Sequence, residues 1–117
     1  MKYFVNKGQT AKIESVVFTD DGLTTANLNG SSIRFMLKKN PADPDSQALL
    51  TKNIGSGIDI TNATGGICQV TLTAADTNNL SYLSLYFEIL VKLADGTYIR
   101  TGMHEIVLNK TLINNLN

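Results

Sequence analysis

Apolar residues recur at every second position from Leu85 to Leu93, and the positions between them are mostly polar or charged. Because successive side chains of a β-strand point to opposite faces, this period of two predicts a strand with one buried face. The Asp95-Gly96 pair that follows is favoured in tight hairpin turns. Residues Tyr98 to Leu108 alternate again and are predicted to form the return strand of this hairpin.

The same alternation recurs along most of the chain, whereas helical periodicity of useful length does not. Thr73 and Asp76 have the spacing of a capping box, which predicts one helical turn over Ala74 to Leu80. About seven short strands, with turns at intervals of roughly 8 to 12 residues, predict two packed antiparallel sheets. The other predicted strands cover residues 13–18, 33–38, 48–52, 58–61 and 68–73.

Three segments differ from this pattern. Asn40 to Ser46 contains both prolines, and each proline removes a backbone donor, so no strand is expected there. Residues 110–117 are polar and are predicted to form a C-terminal tail. Residues 1–8 are predicted to form an N-terminal arm, with pairing of Tyr3 to Val5 on an edge strand as the alternative. One domain over residues 9–109 is therefore expected.

The composition fits one globular domain and limits its partners. The 117 residues are enough for a single core, and 43% of them are hydrophobic. Ten basic residues balance ten acidic ones without a long run of either sign, so neither nucleic acid nor a membrane is predicted as a partner. We recognise no secretory signal and no apolar run long enough to span a bilayer, so a soluble product made in a cytoplasm is expected. Cys68 is the only cysteine, which excludes an intrachain disulfide.

The sequence offers little for catalysis. His104 is the only histidine, and on the alternation it shares a strand face with Ile106 and Leu108. Nucleophilic catalysis needs a base beside the nucleophile, and no glycine-flanked Ser or Cys elbow accompanies this ring. His104 is therefore predicted to be a half-buried strand residue, and Cys68, which has no cationic neighbour in the sequence, a small core residue. We predict no enzyme activity, no cofactor and no metal, and we assign no catalytic, cofactor-binding or metal-binding residue.

Two further patterns have alternative explanations. Asp43, Asp45 and Ser46 carry oxygen atoms suited to calcium, but the glycine and glutamate positions of an EF-hand are not matched, so a solvated loop is favoured. Several basic and aromatic residues would suit stacking on single-stranded nucleic acid, but the net charge is zero, and we interpret them as solvent-facing residues of two sheets. These residues are Arg34, Lys38, Tyr86, Lys92, Tyr98 and Arg100.

The order of several segments is more specific than any one of them. It begins with residues 38–50 (KKNPADPDSQALL), continues with 57–61 (GIDIT) and 70–80 (VTLTAADTNNL), and closes with 93–97 (LADGT). Together these segments resemble the immunoglobulin-like module of tailed-bacteriophage structural proteins, including the amino-terminal domain of upper baseplate proteins, over about Lys7 to Leu108. The resemblance implies an all-β, immunoglobulin-like antiparallel β-sandwich of about seven strands with one short helical turn. It also implies a structural and adhesive role, and it carries over no catalytic residue.

From this resemblance we expect a virion structural protein, made in the host cytoplasm, that acts as an assembly or attachment module in a tail, baseplate or neck, or as a capsid decoration or fibre-attachment protein. Because a free strand edge can bind a partner's strand through backbone hydrogen bonds, the expected partners are other virion proteins and further copies of this chain. Upper baseplate proteins are longer than this chain, which favours a small stand-alone component. The alternative is a carbohydrate or host-surface binding module, although Trp is absent and only four Tyr are present.

Overall fold

The computed structural model describes residues 2–19, 22–81 and 84–109. Within these ranges the chain forms nine β-strands and one short α-helix, α1 (Ala74–Asn78). Both prolines lie in a loop that forms no strand and contains a short 3₁₀ helix, Asp45–Gln47, as expected from the missing donors. The strands are β1 (Lys2–Asn6), β2 (Ala11–Val16), β3 (Ser32–Lys38), β4 (Leu50–Ile54), β5 (Gly57–Asn62), β6 (Ile67–Leu72), β7 (Ser84–Lys92), β8 (Tyr98–Arg100) and β9 (His104–Asn109).

The strands follow the order β1-β9-β7-β3-β4-β5-β6-β2, and β8 also pairs with β7. The β1–β9 and β4–β5 pairs are parallel and the others are antiparallel. The β4–β5 contact joins only Asn53 to Gly57 and Ile54 to Ile58, so the path crosses there from one layer to the other. The layers β9-β7-β3-β4 and β2-β6-β5 have the strand order of an immunoglobulin-like β-sandwich. The predicted fold class is confirmed.

The core lies between the two layers and takes alternate residues from most of the strands. In β7, Leu85, Phe87, Ile89 and Val91 are all buried, as their period of two predicts. The Phe35 ring of β3 lies 5.1 Å from the Phe87 ring, measured between centroids, which joins neighbouring strands inside the core. Burial of each such side chain stabilises the fold by roughly 1.5–3 kcal/mol, so this inward face is a main source of stability.

The prediction of an N-terminal arm over residues 1–8 is wrong for Lys2–Asn6, which form β1. This strand pairs in parallel with β9 along its whole length. Val5 is buried in the core, and the Tyr3 ring packs 5.5 Å from Phe87. These apolar contacts hold the segment on the sheet, as in the alternative in which Tyr3 to Val5 pair with an edge strand. The sandwich therefore begins before residue 9.

The return strand of the β7 hairpin is interrupted, although the alternation from Tyr98 to Leu108 predicts an unbroken strand. Leu90 lies opposite Arg100, but Phe87 lies opposite His104, so the return side contains one residue more than β7 over the same interval. One extra residue on one strand is the definition of a β-bulge. The return strand is therefore divided into β8 and β9.

The bulge changes which residues of the return strand face the core. Gly102 has a φ of 87°, which favours glycine, and the Thr101 hydroxyl accepts a hydrogen bond from the Ile89 N–H at 3.2 Å. Ile99 and Ile106 both pack on the core, although their residue numbers differ by an odd number, seven. In an unbroken strand these two side chains would lie on opposite faces.

The predicted helical turn is present and is capped as predicted, although it ends at Asn78 instead of Leu80. The Asp76 N–H donates to Thr73 Oγ1 at 3.1 Å, and Asp76 Oδ2 accepts from the Thr73 N–H at 2.9 Å. Thr77 is buried and its hydroxyl donates to the Gln9 carbonyl at 2.8 Å, which ties α1 to the loop between β1 and β2. No helix in the described ranges has the length and apolar character needed to cross a membrane. The predicted tail, residues 110–117, lies outside the described residues.

Candidate functional site

His104 begins β9 and is half-buried, as the alternation predicts. Its ring lies 5.2 Å from the Phe87 ring and 6.1 Å from the Tyr3 ring, measured between centroids. Its Nδ1 atom is buried and has no hydrogen-bond partner among the described residues. A catalytic base is normally oriented by a hydrogen bond from one ring nitrogen. The contacts of this imidazole are instead those of an aromatic packing residue.

Cys68 lies in β6 and is fully buried, as predicted for a small core residue. Burial raises the pKa of the thiol above its ordinary value, because a low-dielectric environment disfavours the charged thiolate. The thiolate is the reactive form of cysteine. Cys68 is therefore a packing residue that reacts slowly in the folded protein.

The acidic loop considered for calcium is organised by a lysine of the same chain. The Lys38 ammonium donates to the Asp43 carbonyl at 2.9 Å and to Asp45 Oδ1 at 2.8 Å. The hydrogen bond and the charge of Lys38 lower the pKa of Asp45 below its ordinary value of 3.8. Across residues 2–19, 22–81 and 84–109, no three His, Cys, Asp or Glu side chains come together as a metal site. Asp45 and Ser46 are exposed, in agreement with the solvated-loop interpretation, but Asp43 Oδ2 is buried and has no hydrogen-bond partner among the described residues, so the interpretation does not hold for that oxygen.

The basic and aromatic residues that we assigned to two sheets all lie on one sheet, so that interpretation is wrong in this respect. They belong to β3, β7 and β8, which are neighbours because β7 pairs with both other strands. Several of the cations have partners: Arg100 contacts Glu88 at 2.7 Å, and Lys92 lies 5.6 Å from the centre of the Tyr98 ring. The face is therefore of mixed charge and contains a groove of about 280 Å³. It lacks the uninterrupted positive surface that a nucleic-acid backbone requires.

Three strands pair on one side only within the described residues. β1 pairs with β9, β2 with β6 and β8 with β7, and each has no neighbouring strand along its other edge. The backbone N–H and C=O groups along such an edge are available to bind a further strand. These edges are the strongest candidates for a docking site in this fold.

A groove of about 650 Å³ runs between the β2 and β8 edges, and we call it the seam groove. It is lined by residues 14–19 and 98–101, together with Tyr3 and His104. Val16, Phe18 and Tyr98 line it and are 42%, 43% and 61% exposed. Apolar side chains that are exposed together beside free backbone groups are typical of protein interaction sites. The seam groove is therefore the candidate functional site.

Sequence reasoning does not identify the seam groove, because the groove requires two strands that are far apart in the chain. A local signal is nevertheless present. Glu14, Val16 and Phe18 share one face of the first predicted strand, while Ile13 and Val17 share the other, so both faces carry apolar residues. The inward pair is buried, and the outward apolar pair lies beside a free edge. Only the sheet topology reveals that the outward pair lies beside a free edge.

No family model matches the sequence, and no curated protein matches it. Among solved structures, the chain is similar to murine CRIg, with a TM-score of 0.42 and 10% sequence identity. That likeness covers 93% of this chain and 92% of the CRIg chain. The fold assignment given above rests on the strand order of this chain itself.

Proposed function

We propose that this protein is a structural component of a tailed-bacteriophage virion, where it acts as an assembly or attachment module. Its place is in the tail, baseplate or neck, or on the capsid as a decoration or fibre-attachment protein. The resemblance of residues Lys7 to Leu108 to the phage immunoglobulin-like module supports this proposal. The observation that carries it is the seam groove, where two free strand edges lie beside Val16, Phe18 and Tyr98.

Strand addition is the mechanism that these features favour. A segment of a neighbouring protein that pairs with the β2 or β8 edge makes backbone hydrogen bonds that require no particular side chain. The same segment covers the exposed apolar side chains, and apolar burial stabilises a contact by roughly 25 cal/mol per Å². Backbone pairing therefore supplies a general affinity, and the side chains in the groove select the partner.

The carbohydrate-binding alternative is less well supported. Sugar sites depend on an exposed aromatic ring whose face is open to the ligand. Phe4 is 68% exposed, but its ring has no hydroxyl group to hydrogen-bond a sugar. Tyr98 is 61% exposed, and the Lys92 ammonium lies 5.6 Å from the centre of its ring. A polar cation beside the ring competes with a sugar for that face.

The proposal is tested by asking whether the protein is part of purified particles of the phage whose genome encodes it. Quantitative mass spectrometry and antibody labelling in electron micrographs are expected to find it in stoichiometric amounts at one location. The Val16→Lys variant is expected to be incorporated much less, because it places a charge in the seam groove. Ile54→Lys is a matched control, since Ile54 is 41% exposed on β4 and does not line that groove. Absence of the wild-type protein from particles, despite its presence in infected cells, contradicts the proposal.

A further inference from the structure

The free edge of β2 presents the backbone groups of a defined set of residues. The Val17 N–H donates to the Gly66 carbonyl at 2.8 Å, and the Val17 carbonyl accepts from the Ala26 N–H at 2.9 Å, so both groups of Val17 point away from the free edge. Backbone groups of successive residues alternate in direction along a strand. The N–H and C=O groups of Lys12, Glu14 and Val16 therefore point outward along the free edge.

The side chains on this edge carry a charge pattern that is complementary to itself. Lys12 and Glu14 are both exposed and lie on the outer face of β2. When two copies of a strand pair antiparallel about a two-fold axis at Ile13, Lys12 of each copy lies opposite Glu14 of the other. Opposite charges placed directly across an antiparallel pair attract each other, and like charges repel.

The hydrogen-bonding pattern agrees with the same register. In an antiparallel pair, opposed residues exchange hydrogen bonds only if the backbone groups of both point toward the partner. With the axis at Ile13, the opposed residues Lys12 and Glu14 both meet this condition. An axis at Glu14 also meets it, but that register sets the two Glu14 carboxylates against each other. An axis at Lys12 sets the two ammonium groups against each other, and an axis at Ser15 sets Glu14 opposite the apolar Val16. Among these registers, only the axis at Ile13 pairs opposite charges.

We propose that two copies of this chain associate through their β2 edges, antiparallel about a two-fold axis at Ile13, with two Lys12–Glu14 pairs across the interface. This inference rests on the proposed assembly role and names one partner, a second copy of the chain. The β2-β6-β5 layers of the two copies then form one continuous sheet. Val16 lies opposite Thr10 of the second copy, so the two side chains become neighbours on the outer face of the joined sheet.

Charge reversal tests this register, because the interface is symmetric. Lys12→Glu replaces both attractive pairs by Glu–Glu contacts, and Glu14→Lys replaces both by Lys–Lys contacts. The double variant Lys12→Glu/Glu14→Lys restores two opposite-charge pairs with the signs exchanged. We expect sedimentation-equilibrium measurements to give a dimer for the wild type. The dissociation constant should be at least ~10-fold larger for each single variant and close to the wild-type value for the double variant.

Two further variants control for a general effect of charge. Asp59→Lys reverses an exposed charge on β5 of the same layer, and Lys92→Glu reverses one on β7 of the other layer, and both are expected to dimerise like the wild type. Circular dichroism melting shows that each variant is folded. The inference is overturned if the wild type stays monomeric at high concentration, if the single variants associate as well as the wild type, or if the double variant does not recover. A monomer that is still incorporated into particles refutes this inference alone, whereas a dimer that is absent from particles refutes the proposed function alone.

Discussion

Replacing Asp76 tests how strongly the contact between α1 and β4 stabilises the sandwich. One carboxylate oxygen, Oδ2, accepts a hydrogen bond from Lys52 Nζ at 2.7 Å and another from the Thr73 N–H at 2.9 Å. The side chains of Lys52 and Asp76 are only 16% and 19% exposed, so salt screens this ion pair less than a surface pair. Asp76 therefore caps α1 and links it to a strand of the other layer at the same time.

The size of the effect follows from these two interactions. Loss of a capping interaction costs about 1 kcal/mol, and loss of a hydrogen bond between charged groups costs roughly 1.5–3 kcal/mol. We expect Asp76→Ala to lower the free energy of unfolding by about 3 kcal/mol and the Tm by roughly 10–15 °C. Asp76→Asn keeps an oxygen acceptor for Thr73 and is expected to lose about half as much. Lys52→Met keeps the aliphatic stem without the charge, and a double-mutant cycle isolates the energy of the pair.

The same carboxylate makes part of the stability dependent on pH. Burial raises the pKa of Asp76, but the hydrogen bonds from Lys52 and Thr73 outweigh that effect and lower the pKa below its ordinary value of 3.8. A carboxyl group with a lowered folded-state pKa stabilises the protein fully above its unfolded-state pKa, and this contribution is lost as the pH falls through the folded-state value. The wild type is therefore expected to lose more stability on acidification than Asp76→Asn.

Denaturant unfolding followed by circular dichroism, at pH 7 and over a series from about pH 5 to pH 2, measures both effects. The reasoning is refuted if Asp76→Ala costs less than about 1 kcal/mol, because the two hydrogen bonds together should cost more. It is also refuted if Asp76→Asn is as destabilising as Asp76→Ala, or if the wild type and Asp76→Asn lose stability equally on acidification.

Three further predictions concern the core and its turns. Gly66→Ala should lower the free energy of unfolding by about 3 kcal/mol or more, because the new Cβ lies 2.6 Å from the Val17 carbonyl oxygen at a φ of 70°. Gly96→Ala, with a φ of 93° and open space around it, should lower it by about 1 kcal/mol. Equal losses for the two variants would contradict this reasoning. A thiol-specific reagent should label Cys68 only at the rate of unfolding, so rapid labelling of the folded protein would show that the thiol is accessible. His104→Phe should raise the free energy of unfolding by about 1 kcal/mol, since it removes the buried Nδ1 without a partner and keeps a ring, whereas a loss of stability in denaturant unfolding would contradict this.

Local patterns are sufficient for most of the strands, the capped helical turn and the placement of Cys68 and His104. Each of these depends on residues that are close in the sequence, such as Thr73 with Asp76, or on a period that a strand imposes on its own side chains. The errors arose where distant segments meet. The N-terminal arm is a strand because Val5 finds a place in a core made by other strands, and the hairpin return is divided because one extra residue is accommodated at Thr101 and Gly102.

The amino-acid sequence by itself determined that the chain forms a β-sandwich, because alternation with a period of two gives most strands one apolar face, and such faces are buried when two layers pack together. The sequence supplies the charges of Lys12 and Glu14 and the apolar side chains of Val16 and Phe18, but it does not determine that these residues lie at a free strand edge. Only the tertiary structure decided that β2 pairs on one side and that its outer edge lies across a groove from β8. The physical reason is that an edge is defined by the absence of a neighbouring strand, and that absence depends on how the whole chain is arranged.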